Sequence, residues 1–314
     1  MSRATTIIIR CFKESLADSR QYIKNMFFMI KKIGKYFSLV KFSHTIFAMP
    51  FAFIGFFLAY KMSGSSINLV LFVLVLLCMI FARNAAMAFN RYLDRDIDKK
   101  NKRTQFREIP QGVIKPKSAL VFVIINSILF ITTTYFINNL CFYLSPVALI
   151  VILGYSFFKR YTALCHFILG IGLSLAPIGA YLSVTGKFDL LPLMFSVIVL
   201  LWVSGFDIIY SLQDIDFDKS QKLNSIPALL GKRNALILSA VLHVFSSLIV
   251  LYAGYYAHFD IFYWAGAIIF ISLLLYQHLI VKPTDLSKIN LAFATTNGIA
   301  SIIFATFTIL SLFF

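Results

Sequence analysis

The sequence predicts an all-α, polytopic membrane protein with about nine transmembrane helices. Of its 314 residues, 60% are apolar and only 13% are charged, whereas soluble domains average roughly 45–50% apolar and about 25% charged residues. A water-soluble fold of this length could not bury so much hydrocarbon. In addition, the apolar residues form long runs, and Lys and Arg are concentrated in alternate gaps between them.

Nine apolar runs can cross a bilayer, since a transmembrane helix needs roughly 20 mainly apolar residues. They cover residues 42–60, 67–90, 118–138, 141–158, 163–184, 189–212, 234–256, 261–281 and 289–313. We expect one transmembrane domain over residues 36–314. Residues 1–35 form an N-terminal extension in which short apolar runs are interrupted by Lys and Arg. This pattern predicts a basic helix at the membrane interface rather than a signal peptide.

The basic residues predict the orientation of the helices. Almost all of the 29 Lys and Arg residues lie in the N-terminal segment, in residues 91–117 and in the loops after the fourth, sixth and eighth runs. The positive-inside rule places the N-terminus and these loops in the cytoplasm, and we expect a bacterial inner membrane. Because topology explains the net charge of +16, we predict no nucleic-acid partner. No obligate protein partner is evident either.

The acidic residues are few and clustered. Six of the 13 Asp and Glu residues fall in two five-residue windows, 94–98 and 214–218, each just after a long apolar run. If the helix continues through the first window, Asn90, Asp94 and Asp98 repeat at intervals of four and share one face. The second window predicts the same kind of stripe, formed by Asp207, Tyr210, Asp214 and Asp218. The middle acids, Asp96 and Asp216, point elsewhere and are predicted bystanders.

Two acidic stripes at a membrane face suit a magnesium-dependent diphosphate site. Mg²⁺ is bound by one or two carboxylates, while phosphate oxygens and waters complete its shell. Basic residues that can grip the same phosphates follow the first stripe and the fourth run, namely Arg103, Arg107, Lys159 and Arg160. One such cluster could be ordinary solvated, salt-bridging charge. Its duplication at equivalent places favours a binding site.

Five further residues are weaker candidates. Tyr155 and Tyr210 are candidate diphosphate-binding side chains, although each could equally serve packing. His44 could contact a second substrate or join two helices. Arg83, inside a predicted span, could bind a carboxylate of that second substrate, the acceptor of the reaction, or pair with Asp207. Asp207 is itself a candidate for acceptor binding, because ionisable groups inside spans are usually functional.

These residues resemble the motifs of the UbiA superfamily of intramembrane prenyltransferases, over about residues 30–314. The segment from Lys41 to Pro50 is similar to the opening helix of the 4-hydroxybenzoate polyprenyltransferase-like branch. Two positions depart from the usual pattern: Arg91 stands where many members have Asp, and Lys222 stands where many have Gly. The matching motifs are Asn90-x-x-x-Asp94-x-x-x-Asp98, Arg103-Thr104, Arg107-Glu-Ile-Pro110-Gln-Gly112, Tyr155-x-x-x-Lys159-Arg160-Tyr-Thr162 and Tyr210-x-x-x-Asp214-x-x-x-Asp218.

The resemblance implies a ring of nine helices around a central cavity. Asp94, Asp98, Asp214 and Asp218 would be the catalytic residues and, together with Asn90, the ligands of two Mg²⁺ ions bridged by the diphosphate. The implied reaction is Mg²⁺-dependent transfer of a prenyl group from a polyprenyl diphosphate to an aromatic acceptor in the bilayer. We expect 4-hydroxybenzoate or a related quinone precursor as the acceptor; a menaquinone precursor and a tetrapyrrole are alternatives.

A hypothesis from another class is an ion-coupled transporter, which Asp207 and the repeated motif would also suit. Transporter sites tend to lie near the bilayer midplane between broken helices. Here most of the acids lie at the membrane face beside cations that suit phosphate. The residue pattern therefore favours the enzyme.

Overall fold

The computed structural model describes residues 34–36, 38–40 and 49–314. Within them the chain is helical, without any strand, and has one isolated β-bridge between Lys282 and Asp285. The helices are α1 Met49–Ser63, α2 Leu69–Leu93, α3 Arg95–Lys100, α4 Pro116–Tyr135, α5 Asn139–Phe158, α6 Cys165–Thr185, α7 Leu190–Ser211, α8 Ile215–Ser220, α9 Ile226–Tyr256, α10 Ile261–Ile280 and α11 Asn297–Phe313. A 3₁₀ turn, Leu212–Asp214, precedes α8, and a π-helix, Leu291–Thr296, leads into α11.

The predicted polytopic helical fold is confirmed. Among the described residues, eight segments are long and apolar enough to cross a membrane, and α1 is a shorter apolar helix of 15 residues. The first predicted span began at residue 42, but residues 41–48 lie outside the described part of the chain. The predicted interfacial extension, residues 1–35, lies almost wholly outside it as well. The last span contains the π-helix, which its apolar composition did not indicate.

The long helices pack mainly on their neighbours along the chain. Helix α2 contacts α4, α4 contacts α5, α5 contacts α6, and α6 contacts α7, which packs on α9; α1 lies against both α6 and α11. Close backbone approach helps apolar helices to associate in lipid. It is tightest between α1 and α6, where a Cβ on Gly55 would lie 2.0 Å from the carbonyl oxygen of Pro177. No larger residue fits at position 55 without moving a helix.

Helices α2, α5 and α7 end at the same face of the bundle, which we call the motif face. In both acidic windows the first aspartate marks a break in the helix. Asp94 ends α2 with φ −86° and ψ 4° and directly precedes α3. Asp214 ends the 3₁₀ turn and precedes α8. The expected unbroken helical stripes are therefore each broken at the equivalent residue, so that the short helices α3 and α8 can turn away from the spans that precede them.

Helix α8 ends in a Schellman motif that has lysine where glycine is usual. Leu223 N–H donates to Asp218 O at 2.8 Å, and Lys222 N–H donates to Lys219 O at 3.3 Å. Lys222 has φ 53°, the left-handed conformation in which a Cβ costs roughly 1–2 kcal/mol. Because Asp218 accepts the longer-range bond, this cap also fixes the backbone of a predicted site residue.

We expect Lys222→Gly to stabilise the protein by about 0.5–1 kcal/mol, since relief of the left-handed strain exceeds the added freedom of the unfolded chain. A higher melting temperature of the detergent-solubilised protein would show this. Lys222→Ala is the matched control, because it removes the charge but keeps the Cβ. If the alanine variant gained as much as the glycine variant, backbone strain would not be the cause.

Candidate active site at the motif face

The first motif is anchored to the loop after α5 through Asp94. Arg160 Nη2 donates to Asp94 Oδ1 at 2.9 Å and to the carbonyl oxygen of Leu93 at 3.0 Å. Asn90 Nδ2 donates to the other oxygen, Asp94 Oδ2, at 3.2 Å. Asp94 thus has a cation on one oxygen and an amide on the other, and both partners belong to the predicted set.

The second aspartate of this motif is held by its own loop. Arg107 Nη1 donates to both carboxylate oxygens of Asp98, at 2.7 and 2.8 Å. Asp98 is only 4% exposed, and burial raises its pKa to about 7. Burial likewise raises the pKa of Asp94. Burial opposes the charged form of both carboxyls, whereas the cation paired with each carboxyl favours it.

The second motif binds the first through Asp214. Arg103 binds both oxygens of Asp214, with Nε 3.1 Å from Oδ1 and Nη2 against Oδ2. Asn101 Nδ2 also donates to Asp214 Oδ1, at 3.1 Å. Arg103 Nη1 donates to the Tyr210 hydroxyl at 3.0 Å, and its guanidinium carbon lies 5.3 Å from the tyrosine ring centre. One arginine thus joins the two halves of the site, because Arg103 and its partner Asp214 are 111 residues apart in the sequence.

The fourth aspartate is the most deeply buried. Asp218 is 0% exposed, and Lys159 Nζ lies 2.7 Å from its Oδ1. Ser225 Oγ donates to Asp218 Oδ2 at 2.9 Å. The loop after α8 also holds the partner lysine, because Asn224 N–H donates to the carbonyl oxygen of Lys159 at 2.8 Å. These bonds connect the second motif to the loop after α5.

The eight predicted residues therefore form four acid–base pairs at one face. The pairs are Asp94–Arg160, Asp98–Arg107, Asp214–Arg103 and Asp218–Lys159. The two predicted bystanders, Asp96 and Asp216, are exposed to solvent. Among the described residues, no group of three His, Cys, Asp or Glu side chains is placed to hold a metal ion by itself. Pairs of carboxylates still fit Mg²⁺, whose remaining ligands are usually substrate phosphates and water.

Asp207 is paired with a histidine that the sequence analysis did not single out. His166 Nδ1 lies 2.7 Å from Asp207 Oδ2, and Ile226 N–H donates to His166 Nε2 at 3.3 Å. Since Nε2 accepts, the neutral ring carries its hydrogen on Nδ1 and donates to the aspartate. The suggested pairing of Arg83 with Asp207 is absent from the described residues. His44 lies outside them.

Arg83 and Tyr155 line one cavity of about 390 Å³ between α2, α4, α5 and α6. The rest of its wall is almost wholly apolar and extends to Phe188 after α6. Arg83 Nε is buried without a hydrogen-bond partner, and no carboxylate pairs with Arg83 in the described part of the chain. Tyr155, predicted to meet the diphosphate, lines the same apolar cavity as Arg83, and its contact with a diphosphate stays a prediction.

Four contributors escaped the sequence analysis: Asn101, His166, Ser225 and Phe293. Ser225 had a local signal, since serine followed closely by proline is a common helix start, and it caps α9 through Ala228 N–H. A lone histidine in a span beside an intramembrane acid was a weaker signal for His166. Asn101 and Phe293 gave none, because their contacts with Asp214 and Tyr210 join distant segments.

The fold and site define a polytopic helical enzyme with paired charges at one membrane face. The family model of the UbiA prenyltransferase family matches residues 48–306. The chain therefore belongs to the UbiA prenyltransferase family, and it is a prenyltransferase. It is 28% identical over 235 residues to the 4-hydroxybenzoate octaprenyltransferase of Aliivibrio fischeri (strain MJ11), covering 74% of this chain and 80% of that relative.

Solved structures agree with this assignment. The apo structure of a UbiA homolog from Aeropyrum pernix K1 superimposes with a TM-score of 0.77 at 30% identity and covers 85% of this chain and 97% of that one. A UbiA homolog from Archaeoglobus fulgidus, bound to DMAPP and Mg²⁺, gives a TM-score of 0.70 at 22% identity and covers 88% and 99% of the two chains. The second likeness shows the fold alone.

Proposed function

We propose that this enzyme transfers a prenyl group from a polyprenyl diphosphate to an aromatic carboxylate, with 4-hydroxybenzoate as the first candidate, in a Mg²⁺-dependent reaction. The observation that carries the proposal is the set of four acid–base pairs at the motif face. It supplies carboxylates for divalent cations and basic groups for phosphates in one place. The relatives named 4-hydroxybenzoate octaprenyltransferase, and the Archaeoglobus fulgidus homolog bound to DMAPP and Mg²⁺, support it.

The Asn90 amide and the carboxylates of Asp94, Asp98, Asp214 and Asp218 would hold Mg²⁺ together with the diphosphate. Bound Mg²⁺ would offset the negative charge that develops on the leaving diphosphate. The basic side chains of the same four pairs, Arg103, Arg107, Lys159 and Arg160, would bind the phosphate oxygens. Arginine's planar group suits phosphate oxygens in pairs, and cations fixed in advance stabilise the leaving group more than mobile water does.

The prenyl chain and the acceptor would occupy the apolar cavity below this site. An allylic cation would react with water, so a wall with few polar groups protects it until an electron-rich ring attacks. Arg83 is the cation in that wall, and its Nε has no partner. A carboxylate on the acceptor would satisfy this nitrogen and place the ring near the motif face. Arg83 therefore favours an acceptor that carries a carboxylate over an acceptor with a neutral ring.

The direct test incubates the purified enzyme with Mg²⁺, geranyl or farnesyl diphosphate and a panel of acceptors, with detection of products by mass spectrometry. The panel contains 4-hydroxybenzoate, a dihydroxynaphthoate and a tetrapyrrole. We expect a prenylated 4-hydroxybenzoate and no product without Mg²⁺. A prenylated tetrapyrrole alone would contradict the acceptor assignment. Uptake of solute into proteoliposomes without any covalent product would favour the transporter hypothesis.

The role of Arg83 can be tested by changing the charge on both sides. We expect Arg83→Met to raise the KM for 4-hydroxybenzoate about 10- to 150-fold, the effect of losing a charged hydrogen bond worth roughly 1.5–3 kcal/mol. The wild type should prefer 4-hydroxybenzoate to 4-hydroxybenzamide, and the variant should lose that preference. If the preference persisted in Arg83→Met, another residue would bind the carboxylate.

We place the enzyme in a bacterial inner membrane with its motif face in the cytoplasm. The distribution of Lys and Arg supports this orientation, and the octaprenyltransferase relative from Aliivibrio fischeri is bacterial. Labelling of single cysteines introduced at exposed positions on either side, by a membrane-impermeant reagent added to spheroplasts, tests the orientation. Labelling of Asp96→Cys from outside the cell would reverse it.

A further inference from the structure

We propose that Phe293, held by the π-helix, positions Tyr210 and, through Tyr210, the Arg103 side chain that binds Asp214. The inference rests on the proposed function. The rings of Phe293 and Tyr210 are stacked, with centroids 4.1 Å apart and planes at 30°. Tyr210 in turn accepts a hydrogen bond from Arg103, which binds Asp214. A contact from the last span therefore reaches the site through one ring.

The π-helix determines where Phe293 lies. A π turn adds a residue to the helix and leaves backbone groups without their usual partners, and such turns occur frequently at functional sites. Asn297 compensates for this turn, because its Nδ2 donates to the carbonyl oxygens of Ala292 and Phe293, both at 3.1 Å. The irregular turn is therefore stabilised by a specific side chain.

Asn297 is itself fixed by two neighbouring helices. Its Oδ1 accepts from Trp202 Nε1 at 2.9 Å and from Gln277 Nε2 at 2.7 Å. Asn297 is 1% exposed, and Trp202 and Gln277 are 0% exposed. All the hydrogen-bonding capacity of this amide is used, and the three residues belong to α11, α7 and α10. The π turn is thus tied to the core on both sides, which gives Phe293 a fixed position.

The first experiment compares Phe293→Leu with Phe293→Tyr. Leucine keeps an apolar side chain but cannot stack, whereas tyrosine keeps the ring. We expect leucine to raise the KM for the prenyl diphosphate about threefold to tenfold, the range given by the usual strength of an aromatic pair, with a smaller change in kcat. The Kd of an unreactive prenyl thiodiphosphate should rise by the same factor. Phe293→Tyr should leave the KM for the prenyl diphosphate and the Kd of the thiodiphosphate near their wild-type values.

A control and a double variant separate positioning from general stability. Phe304→Leu removes a buried ring of α11, and this ring packs on Phe51 and Phe270. The change should lower the melting temperature without changing the Kd. In an Arg103→Lys background, Phe293→Leu should add little, because the group it positions is gone. Equal effects of Phe293→Leu in both backgrounds, or equal Kd shifts for the two leucine variants, would overturn the inference. A wild type without transferase activity would instead refute the proposed function.

Discussion

Asp94→Asn and Asp214→Asn are each expected to lower kcat/KM for prenyl transfer by about 10³-fold, the scale of losing a preorganised electrostatic group. Each change keeps the size of the side chain and one oxygen that can accept from Arg160 or Arg103. It removes the charge that Mg²⁺ requires. Steady-state transfer measured over a range of Mg²⁺ concentrations should show lost turnover that excess metal does not restore.

The matched controls lie in the same two motifs. Asp96 and Asp216 belong to the same windows but are exposed, and the side chain of Asp96 is 82% accessible. Asp96→Asn and Asp216→Asn make the same chemical change and should retain near-normal activity. Near-normal turnover of Asp94→Asn or Asp214→Asn would refute the metal assignment of that residue.

Lys159→Met is expected to have the largest effect on stability. It leaves the carboxylate of Asp218, at 0% exposure, with the Ser225 hydroxyl as its one side-chain hydrogen-bond partner among the described residues. Breaking a fully buried pair costs about 3–5 kcal/mol; the side chain of Lys159 is 35% exposed, so we expect about 2–3 kcal/mol. Thermal unfolding in detergent measures this loss, and Lys99→Met, which removes an exposed lysine of α3, should leave the melting temperature unchanged.

The double variant Lys159→Met/Asp218→Asn separates the structural and chemical roles. Neutralising Asp218 removes the unpaired buried charge, so most of the lost stability should return. Transferase activity should stay absent, because both charges are needed at the site. Recovery of activity together with stability would mean that the pair is only structural.

The sequence predicted the parts of this molecule that depend on local pattern. Long apolar runs located the spans, since helix length and bilayer thickness are linked. The spacing of Asn90, Asp94 and Asp98 predicted that these side chains lie close together near the end of α2, and the structure pairs Asp94 and Asp98 with predicted cations. Asp94 meets Arg160, and Asp218 meets Lys159. The metal-binding and catalytic roles of these residues stay predictions.

Features that depend on distant contacts were not predictable in this way. The breaks at Asp94 and before α8 follow from the turning of α3 and α8, which periodicity does not contain. The π turn depends on Asn297 meeting Trp202 from another helix. The partner of Asp207 was a choice among several spans, and only packing selected His166. Residue types indicated the chemistry, whereas tertiary contacts decided the pairing.

The four pairs also have a consequence for the order in which the chain is made. The aspartates that pair with Arg107 and Arg160 lie within the first 160 residues. The partners of Arg103 and Lys159, which are Asp214 and Asp218, are synthesised later. While the second half is being synthesised, two uncompensated cations remain on the loops of the first half. Such charges keep a loop on the side of synthesis during insertion. If the motif face is cytoplasmic, as proposed above, the same two side chains would first help to orient the nascent protein and later become partners of the second motif.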